Sequence, residues 1–430
     1  MLGNLSRTLG MSLILLLASC ETGEEVADHP LPPTGDYVVF AWNDLGMHCL
    51  NPTYDTAVIL PPYNTVWAQV IKRGNPPQVV TSGLTVEYSI LNNTFSYGKR
   101  DYGQFWDNCE VLFGAPVEQD KGLNLVDPAI HNGLSGVMVA KSGHFEVDGI
   151  PVTPVDDGNN WNPYQVAQVT VKGAGGQVVA QTQCTVPTSD EINCSRCHTA
   201  ANPFQDILQK HDAEHGTNLT GQPPVLCAGC HGSPALGLLD PGDGYLSQVI
   251  HGAHADRDAT CYDCHPGALT QCNRSEPHTT ADGNCTTCHG DMSQVAGSIE
   301  GGRVPWASEP RCVDCHFGVP EVDTGAELYR NATGHHGVYC ISCHGSPHAM
   351  VPSREYSDNY QALQYMESVN TIGSCGVCHS GSKGASSEID EFGEHHGGSN
   401  PEQATVCNVC HTATPTDLSQ WPHEYAWTVR

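Results

Sequence analysis

Positive charge is scarce in this chain of 430 residues: 18 Lys and Arg stand against 47 Asp and Glu, a formal net charge of −29. So acidic a surface repels phosphate backbones, which excludes nucleic-acid binding; it suits a basic partner or a positively charged acceptor, and it keeps the protein soluble. Methionine is equally sparse, with 7 in all, and only Met292, Met350 and Met366 fall in the second half. No catalytic triad, paired-carboxylate site or phosphate-binding loop is evident. Past Pro187 apolar runs also become rare, while Gly and Pro interrupt the chain every few residues.

Cysteine and histidine are abundant instead, 21 and 23 residues, and most of them form one repeated pattern. Cys-x-x-Cys-His occurs eight times: Cys194/Cys197/His198, Cys227/Cys230/His231, Cys261/Cys264/His265, Cys285/Cys288/His289, Cys312/Cys315/His316, Cys340/Cys343/His344, Cys375/Cys378/His379 and Cys407/Cys410/His411. Cysteine pairs at this spacing also occur in zinc knuckles and dithiol redox sites, but neither requires a histidine after every pair. The pattern is the attachment signature of c-type haem, in which two thioethers hold the haem edge and the adjacent histidine reaches the iron. Eight haem c groups are therefore expected as cofactors.

Two segments precede any folded region. Residues 1 to 19 carry Arg7, an apolar run from Leu13 to Leu17 and the small pair Ala18-Ser19, the layout of a secretory signal too short to span a bilayer. Cys20 follows directly, and Leu17-Ala18-Ser19-Cys20 resembles a bacterial lipobox, which implies a lipid anchor at Cys20 and so an exported, membrane-held protein. Glu21 gives no aspartate-type inner-membrane retention signal, which favours the outer membrane. Residues 20 to 35, acidic and proline-rich after the cysteine, read as a lipidated tether.

Residues 36 to 188 contain no haem motif and read as an all-β, sandwich-like domain. Leu84, Val86, Tyr88 and Ile90 alternate with Thr85, Glu87 and Ser89. Val166 to Val171 and Gln177 to Thr182, joined by Gly173-Ala174-Gly175-Gly176, predict a hairpin; Tyr37 to Trp42, Ala57 to Leu60, Val66 to Ile71 and Gly136 to Ala140 add further short strands. Residues 189 to 430 read as a multihaem cytochrome c domain of short helices and loops with little regular structure. Helices are expected over Pro203 to His215, capped by Asn202 and closed by Gly216, over Tyr245 to His254 and over about Asp358 to Val369. Successive proximal histidines stand only 24 to 35 residues apart, too little protein per unit to form its own core, so the haems must supply it.

A sixth iron ligand separates electron carriers from catalysts. Eleven further histidines are candidates for eight irons in this half: His215, His251, His254, His278, His335, His336, His395 and His396 are favoured, with His211, His348 and His423 behind them. His211/His215 and His251/His254 are spaced to share a helical face. Three methionines are too few to compete, so mostly bis-histidine, low-potential irons with no open position are predicted, suited to outer-sphere electron transfer.

On these motifs, on Cys340-Ile-Ser-Cys343-His344-Gly345-Ser346-Pro347-His348 and on the lipobox-like stretch, the chain resembles bacterial multihaem c-type cytochromes, more narrowly the octahaem outer-surface lipoproteins of extracellular electron transfer. The resemblance implies closely packed haems that pass electrons along the protein, with other cytochromes or a porin-type conduit as partners and an extracellular or periplasmic acceptor. Octahaem reductases of small nitrogen or sulfur oxyanions keep one haem open, often with a lysine-bearing variant motif that is absent here. Cytochrome filaments borrow a neighbour's histidine, which the histidine surplus makes unnecessary.

Cys49, Cys109, Cys184 and Cys272 lie outside the motifs. In an oxidising compartment pairing is the default, with Cys49 to Cys109 the first choice and Cys184 and Cys272 either pinning the two halves together or free. A sharper alternative places a metal or redox site at Trp42 to Cys49, with Asp44 and His48 on one helical face. His131 and His144 read as loop histidines.

Overall fold

A computed structural model describes residues 35–74, 77–267, 269–279, 285–314, 328–334 and 337–379. The signal, Cys20 and tether readings lie outside these residues, as do Cys315, His316, His335, His336, His395, His396, Cys407, Cys410, His411 and His423.

Eleven strands form the first part: β1 (Tyr37–Asn43), β2 (His48–Cys49), β3 (Ala57–Val58), β4 (Val66–Lys72), β5 (Gln78–Val79), β6 (Thr85–Ile90), β7 (Ser135–Val137), β8 (Val139–Ala140), β9 (Phe145–Val147), β10 (Tyr164–Lys172) and β11 (Val178–Ser189). One sheet runs β1-β4-β9-β8 with β5 on β4; the other runs β2-β11-β10-β6-β7. The anticipated hairpin is β10 and β11, antiparallel from Tyr164 opposite Pro187 to Lys172 opposite Val178. The anticipated alternation on β6 also appears, with Val86, Tyr88 and Ile90 buried.

The two sheets enclose one apolar core. Val39, Ala41, Val66, Ala68 and Val70 from the first meet Val86, Ile90, Ala167, Val169, Val171 and Val186 from the second. Each fully buried Val or Ile there contributes about 1.5–3 kcal/mol. An all-β reading is corrected at one place: α1 (Gly103–Phe113) buries Phe105, Trp106, Cys109 and Leu112 in a second cluster with Tyr54 and closes on Gly114 at φ 76°. Their spacing lays these four side chains on one helical stripe, a period that strand alternation cannot satisfy.

The later helices are α2 (Pro203–His215), α3 (Leu246–His254), α4 (Cys285–His289), α5 (Met292–Glu300), α6 (Cys340–His344) and α7 (Tyr360–Met366). Asn202 caps α2, its side chain accepting from Gln205 N at 3.0 Å, and Gly216 ends it at φ 69°. The third expected helix is shorter than its sequence pattern: a 3-10 turn over Tyr356–Asn359 precedes α7, which stops at Glu367 in a left-handed conformation.

β1 is buried on both faces. Val39 and Ala41 point into the sandwich, while Val38, Phe40 and Trp42 pack with Tyr339, Ile341, Tyr365 and Val377 of the later chain. Hydrogen bonds seal the contact: the Tyr339 amide donates to Gln69 Oε1 at 3.1 Å, and Thr182 Oγ1 to Gln364 Oε1 at 2.7 Å. No helix among the described residues is long and apolar enough to cross a membrane.

The four extra cysteines are all free thiols. Cys109 lies in the α1 cluster and Cys184 in the sandwich core, whereas Cys49 is half-buried where Cys272, rather than Cys109, acts on its thiol. Trp42 to Cys49 is not helical either: β1 ends at Asn43, and Asp44 takes His48 Nε2 at 3.1 Å and Arg330 at 3.5 Å.

Candidate metal centres

Every described Cys-x-x-Cys-His unit begins as a tight turn. Cys194–Arg196, Cys227–Gly229, Cys261–Asp263, Cys312–Asp314 and Cys375–Val377 are single 3-10 turns, and α4 and α6 are single helical turns. In such a turn positions i, i+3 and i+4 face one side, so both thiols and the imidazole are presented together. Backbone bonds close the turn: His198 N to Cys194 O at 2.9 Å and His265 N to Cys261 O at 2.8 Å. At the third unit Thr260 and Asp263 add a capping box, with Thr260 N donating to Asp263 Oδ2 at 2.7 Å.

The two cysteines of a motif share one role in the sequence reading, but the structure does not place them alike. In the first, second and fourth motifs the leading residues Cys194, Cys227 and Cys285 are half-buried, whereas the second residues Cys197, Cys230 and Cys288 are exposed. Cys264 and Cys378 are half-buried, and Cys312 is exposed although it leads its motif. Cys378 rests at the edge of the cluster that faces β1, and its carbonyl accepts from Gly74 N at 3.4 Å. In the third and sixth motifs both cysteines, Cys261 with Cys264 and Cys340 with Cys343, are half-buried. The sequence reading assigns both sulfurs to haem attachment and is silent on how deeply each one sits.

Burial pushes the Cys194 and Cys227 thiols up to about 11 and those of Cys285 and Cys343 up to about 12. These are neutral sulfurs in apolar surroundings, poor ligands for a bare cation, which thiolate would bind. Among the described residues no group of three His, Cys, Asp or Glu side chains is placed to hold a metal ion. The histidines instead face one another in pairs. Ring centres lie 6.5 Å apart for His198 and His254, 6.3 Å for His231 and His211, 6.1 Å for His265 and His251, and 6.0 Å for His289 and His348.

That spacing has a simple reading. A metal–nitrogen bond of about 2 Å plus roughly 1 Å to the ring centre places an imidazole about 3 Å from its metal, so two rings on opposite faces of one metal stand about 6 Å apart. Each pair combines the histidine of one motif with one from elsewhere in the chain.

The ring nitrogens are oriented to match. Nδ1 of His251 lies 2.6 Å from Ser247 O, Nδ1 of His254 lies 2.8 Å from Ile250 O, and Nδ1 of His198 lies 2.8 Å from Asp206 Oδ2. A carbonyl only accepts, so Nδ1 of His251 and His254 carries the proton and leaves the Nε2 lone pair for a metal. Nδ1 of His348 likewise approaches Leu45 O at 3.4 Å. Burial and the neighbouring imidazole push His348 down to about 4, and burial also lowers His211, so these rings are neutral as metal binding requires. Beside the Cys285, Cys272 and Cys261 thiols the Tyr262 hydroxyl is buried with no hydrogen-bond partner, a polar atom available to the edge of a bound group. The residues present thus fit c-type haem.

Two helices link successive sites. α2 supplies Asp206 to His198 and His211 to His231; α3 carries both His251, facing His265, and His254, facing His198. His289 in turn acts on His265, as the motif-four site adjoins the motif-three site. His215 packs on His211 at 4.8 Å rather than facing a motif histidine, and His278 sits in a 3-10 turn over Glu276–His278 near Ser275. His344 ends α6, and His379 bridges to Gly74 beside the first sheet. His144, read from sequence as a loop residue, lies in the bend before β9, stacked on Trp67 at 4.2 Å and bonded to the Tyr339 hydroxyl at 2.9 Å.

Over residues 303–380, which hold the fifth, sixth and seventh motifs, the chain matches the family described as cytochrome c7 and related cytochrome c. It is 28% identical over 179 residues to the C-type polyheme cytochrome OmcB of Geobacter sulfurreducens, an alignment covering 35% of this chain and 23% of OmcB. The chain thus spans less than a quarter of that relative's length. A solved structure, MtrC from Shewanella baltica, aligns over 65% of this chain and 43% of its own at 13% identity, but with a TM-score of 0.15 it carries no argument about the fold. Together, the turn geometry, the facing histidines, the c7-like segment and the polyhaem relative support a multihaem c-type cytochrome with covalently held haem.

Proposed function

We propose that this protein relays electrons through eight covalently bound c-type haems, most of them bis-histidine ligated, outside the cytoplasm at the outer membrane or cell surface. The observation that carries the reading is the set of four facing ring pairs at 6.0–6.5 Å, each pairing a motif histidine with a second one. Haem iron, when bound, exchanges one electron between its ferric and ferrous states. The chain's residues do the rest. Cysteine pairs such as Cys194/Cys197, Cys227/Cys230, Cys285/Cys288 and Cys375/Cys378 fix the ring edges, one sulfur from within the fold and the other from its rim in the first, second and fourth motifs. His198, His231, His265 and His289 would hold the iron together with their facing partners His254, His211, His251 and His348. So held, the iron would offer substrate no open position, which would suit outer-sphere transfer.

The shared helices give the sites a spatial order of motif two, one, three and four, which differs from their order in sequence. α3 carries His251 and His254 about one helical turn apart, so the motif-three and motif-one sites are neighbours. Anchoring through Cys20, docking to another cytochrome or a porin-type conduit, and delivery to an extracellular or periplasmic acceptor complete the reading. The similarity to OmcB, whose name describes a polyhaem cytochrome, supports it.

The test compares His211→Ala with His215→Ala in the haem-loaded protein, by electron paramagnetic resonance and visible spectra. His211→Ala is expected to turn one of the eight haems high-spin, while His215→Ala leaves the spectrum low-spin. The reverse pattern, or a large high-spin fraction before any substitution, would sink the proposed ligation.

A further inference from the structure

We propose that the β-rich region acts as the positioning element for His348, so that docking of the loop after β1 sets the sixth ligand of the motif-four site. This rests on the ligand reading above, in which His348 faces His289 at 6.0 Å. His348 has a left-handed backbone, φ 63°, a conformation unfavourable for any residue with a side chain and one that surrounding contacts must enforce.

Those contacts come largely from the loop. Ser346 Oγ donates to Asn43 O at 2.6 Å, and His348 Nδ1 lies 3.4 Å from Leu45 O. Between them Gly46, at φ 77°, presses so closely that a Cβ there would lie 1.6 Å from Pro347 O. Arg274 locks the arrangement from behind. Only 2% exposed, it donates from Nη1 to Gly46 O at 2.8 Å and pairs with Asp358 at 2.8 and 3.1 Å, while its own amide donates to His348 O at 2.6 Å. Loop, ligand segment and arginine thus form a closed circuit in which the imidazole cannot turn unless Asn43 to Gly46 also moves. Ser346 to His348 meets the loop through backbone atoms, one hydroxyl and the imidazole Nδ1. Gly46, Ser346 and Arg274 are therefore positioning residues, none of which touches the metal itself.

The test uses the full-length, haem-loaded protein. Gly46→Ala is expected to release His348 and make one haem of eight high-spin in the ferric state, the signal that His348→Ala also produces, and added imidazole should restore the low-spin spectrum. Ser346→Ala, a smaller change that keeps the test open should Gly46→Ala not fold, is expected to speed carbon monoxide uptake by one haem of the reduced protein about tenfold, the equivalent of one lost hydrogen bond. Should His348→Ala turn high-spin while Gly46→Ala and Ser346→Ala keep parental spectra, potentials and uptake rates, the positioning role is overturned and the ligand reading stands. If His348→Ala itself stays low-spin, the ligand assignment fails and the positioning role with it.

Discussion

The β-sandwich and the segment that follows it, residues 190 to 310, differ in what holds them together. In the sandwich a single cluster joins buried side chains from both sheets, among them Val39, Val70, Ile90, Val169 and Val186. In the following segment the buried apolar side chains are few and scattered: Phe204, Leu208, Ala228, Leu236, Leu246 and Ile299. What that segment has in quantity is paired imidazoles and cysteines that are half-buried or, like Cys197, Cys230 and Cys288, exposed. A protein interior of this kind is built around its cofactor, whereas the sandwich is built around itself. The last described stretch, 337–379, is intermediate, because Tyr339, Ile341, Tyr365 and Val377 rest on the outer face of β1.

The comparison would break first if haem were withheld. In a host that cannot attach haem, residues 190 to 310 are expected to become fully protease-sensitive while 36 to 188 stay protected, as mass spectrometry of the surviving fragments would show; equal protection of both would refute the contrast. Truncating the sandwich core is the next largest effect. Ile90→Ala should lower denaturant stability by about 2–5 kcal/mol while the visible haem spectrum keeps its shape.

A smaller effect comes from Asp148, beside Glu146 and Asp44, where burial followed by those two charges raises the carboxyl to about 6. Because the folded value lies above the unfolded one, the folded state holds the proton more tightly. Its contribution is fully present below about pH 4 and is lost as pH rises to about 6. Asp148→Asn is therefore expected to raise the Tm at pH 7 more than at pH 4, by at most a few kcal/mol in stability, and an equal change at both pH values would count against it. Least of all, Lys172→Ala removes a half-exposed pair with Glu87, and denaturant titration should show a loss below about 1 kcal/mol.

Much of the site was legible because covalent attachment demands local spacing. Two thiols and an imidazole at i, i+3 and i+4 share a turn whatever the rest of the chain does, and α2 with its Asn202 cap and Gly216 stop follows from equally local rules. How deeply each sulfur sits was not legible, since Cys378 is sheltered by the cluster on β1 while Cys197, Cys230 and Cys288 are exposed. Nor was the partner of each motif histidine. His211 and His215 lie one turn apart on α2, and only the approach of the motif-two turn selects His211. His251 and His254 were expected as ligands, but not that they face different motif histidines, His265 and His198. Of the extra cysteines, local sequence favoured Cys49 with Cys109, while the chain path brings Cys272 to Cys49.

By itself, then, the amino-acid sequence determined what is covalent or periodic: haem attachment sites, an acidic surface, alternating strands and capped helices, all set by neighbours within a turn or a hairpin. Only the tertiary structure decided what is distant. It chose which imidazoles face each other and laid the β1 loop against His348, 303 residues away from Leu45 along the chain. Such pairings depend on burial and on the meeting of separate elements, and those are properties of the packed chain that no local spacing encodes.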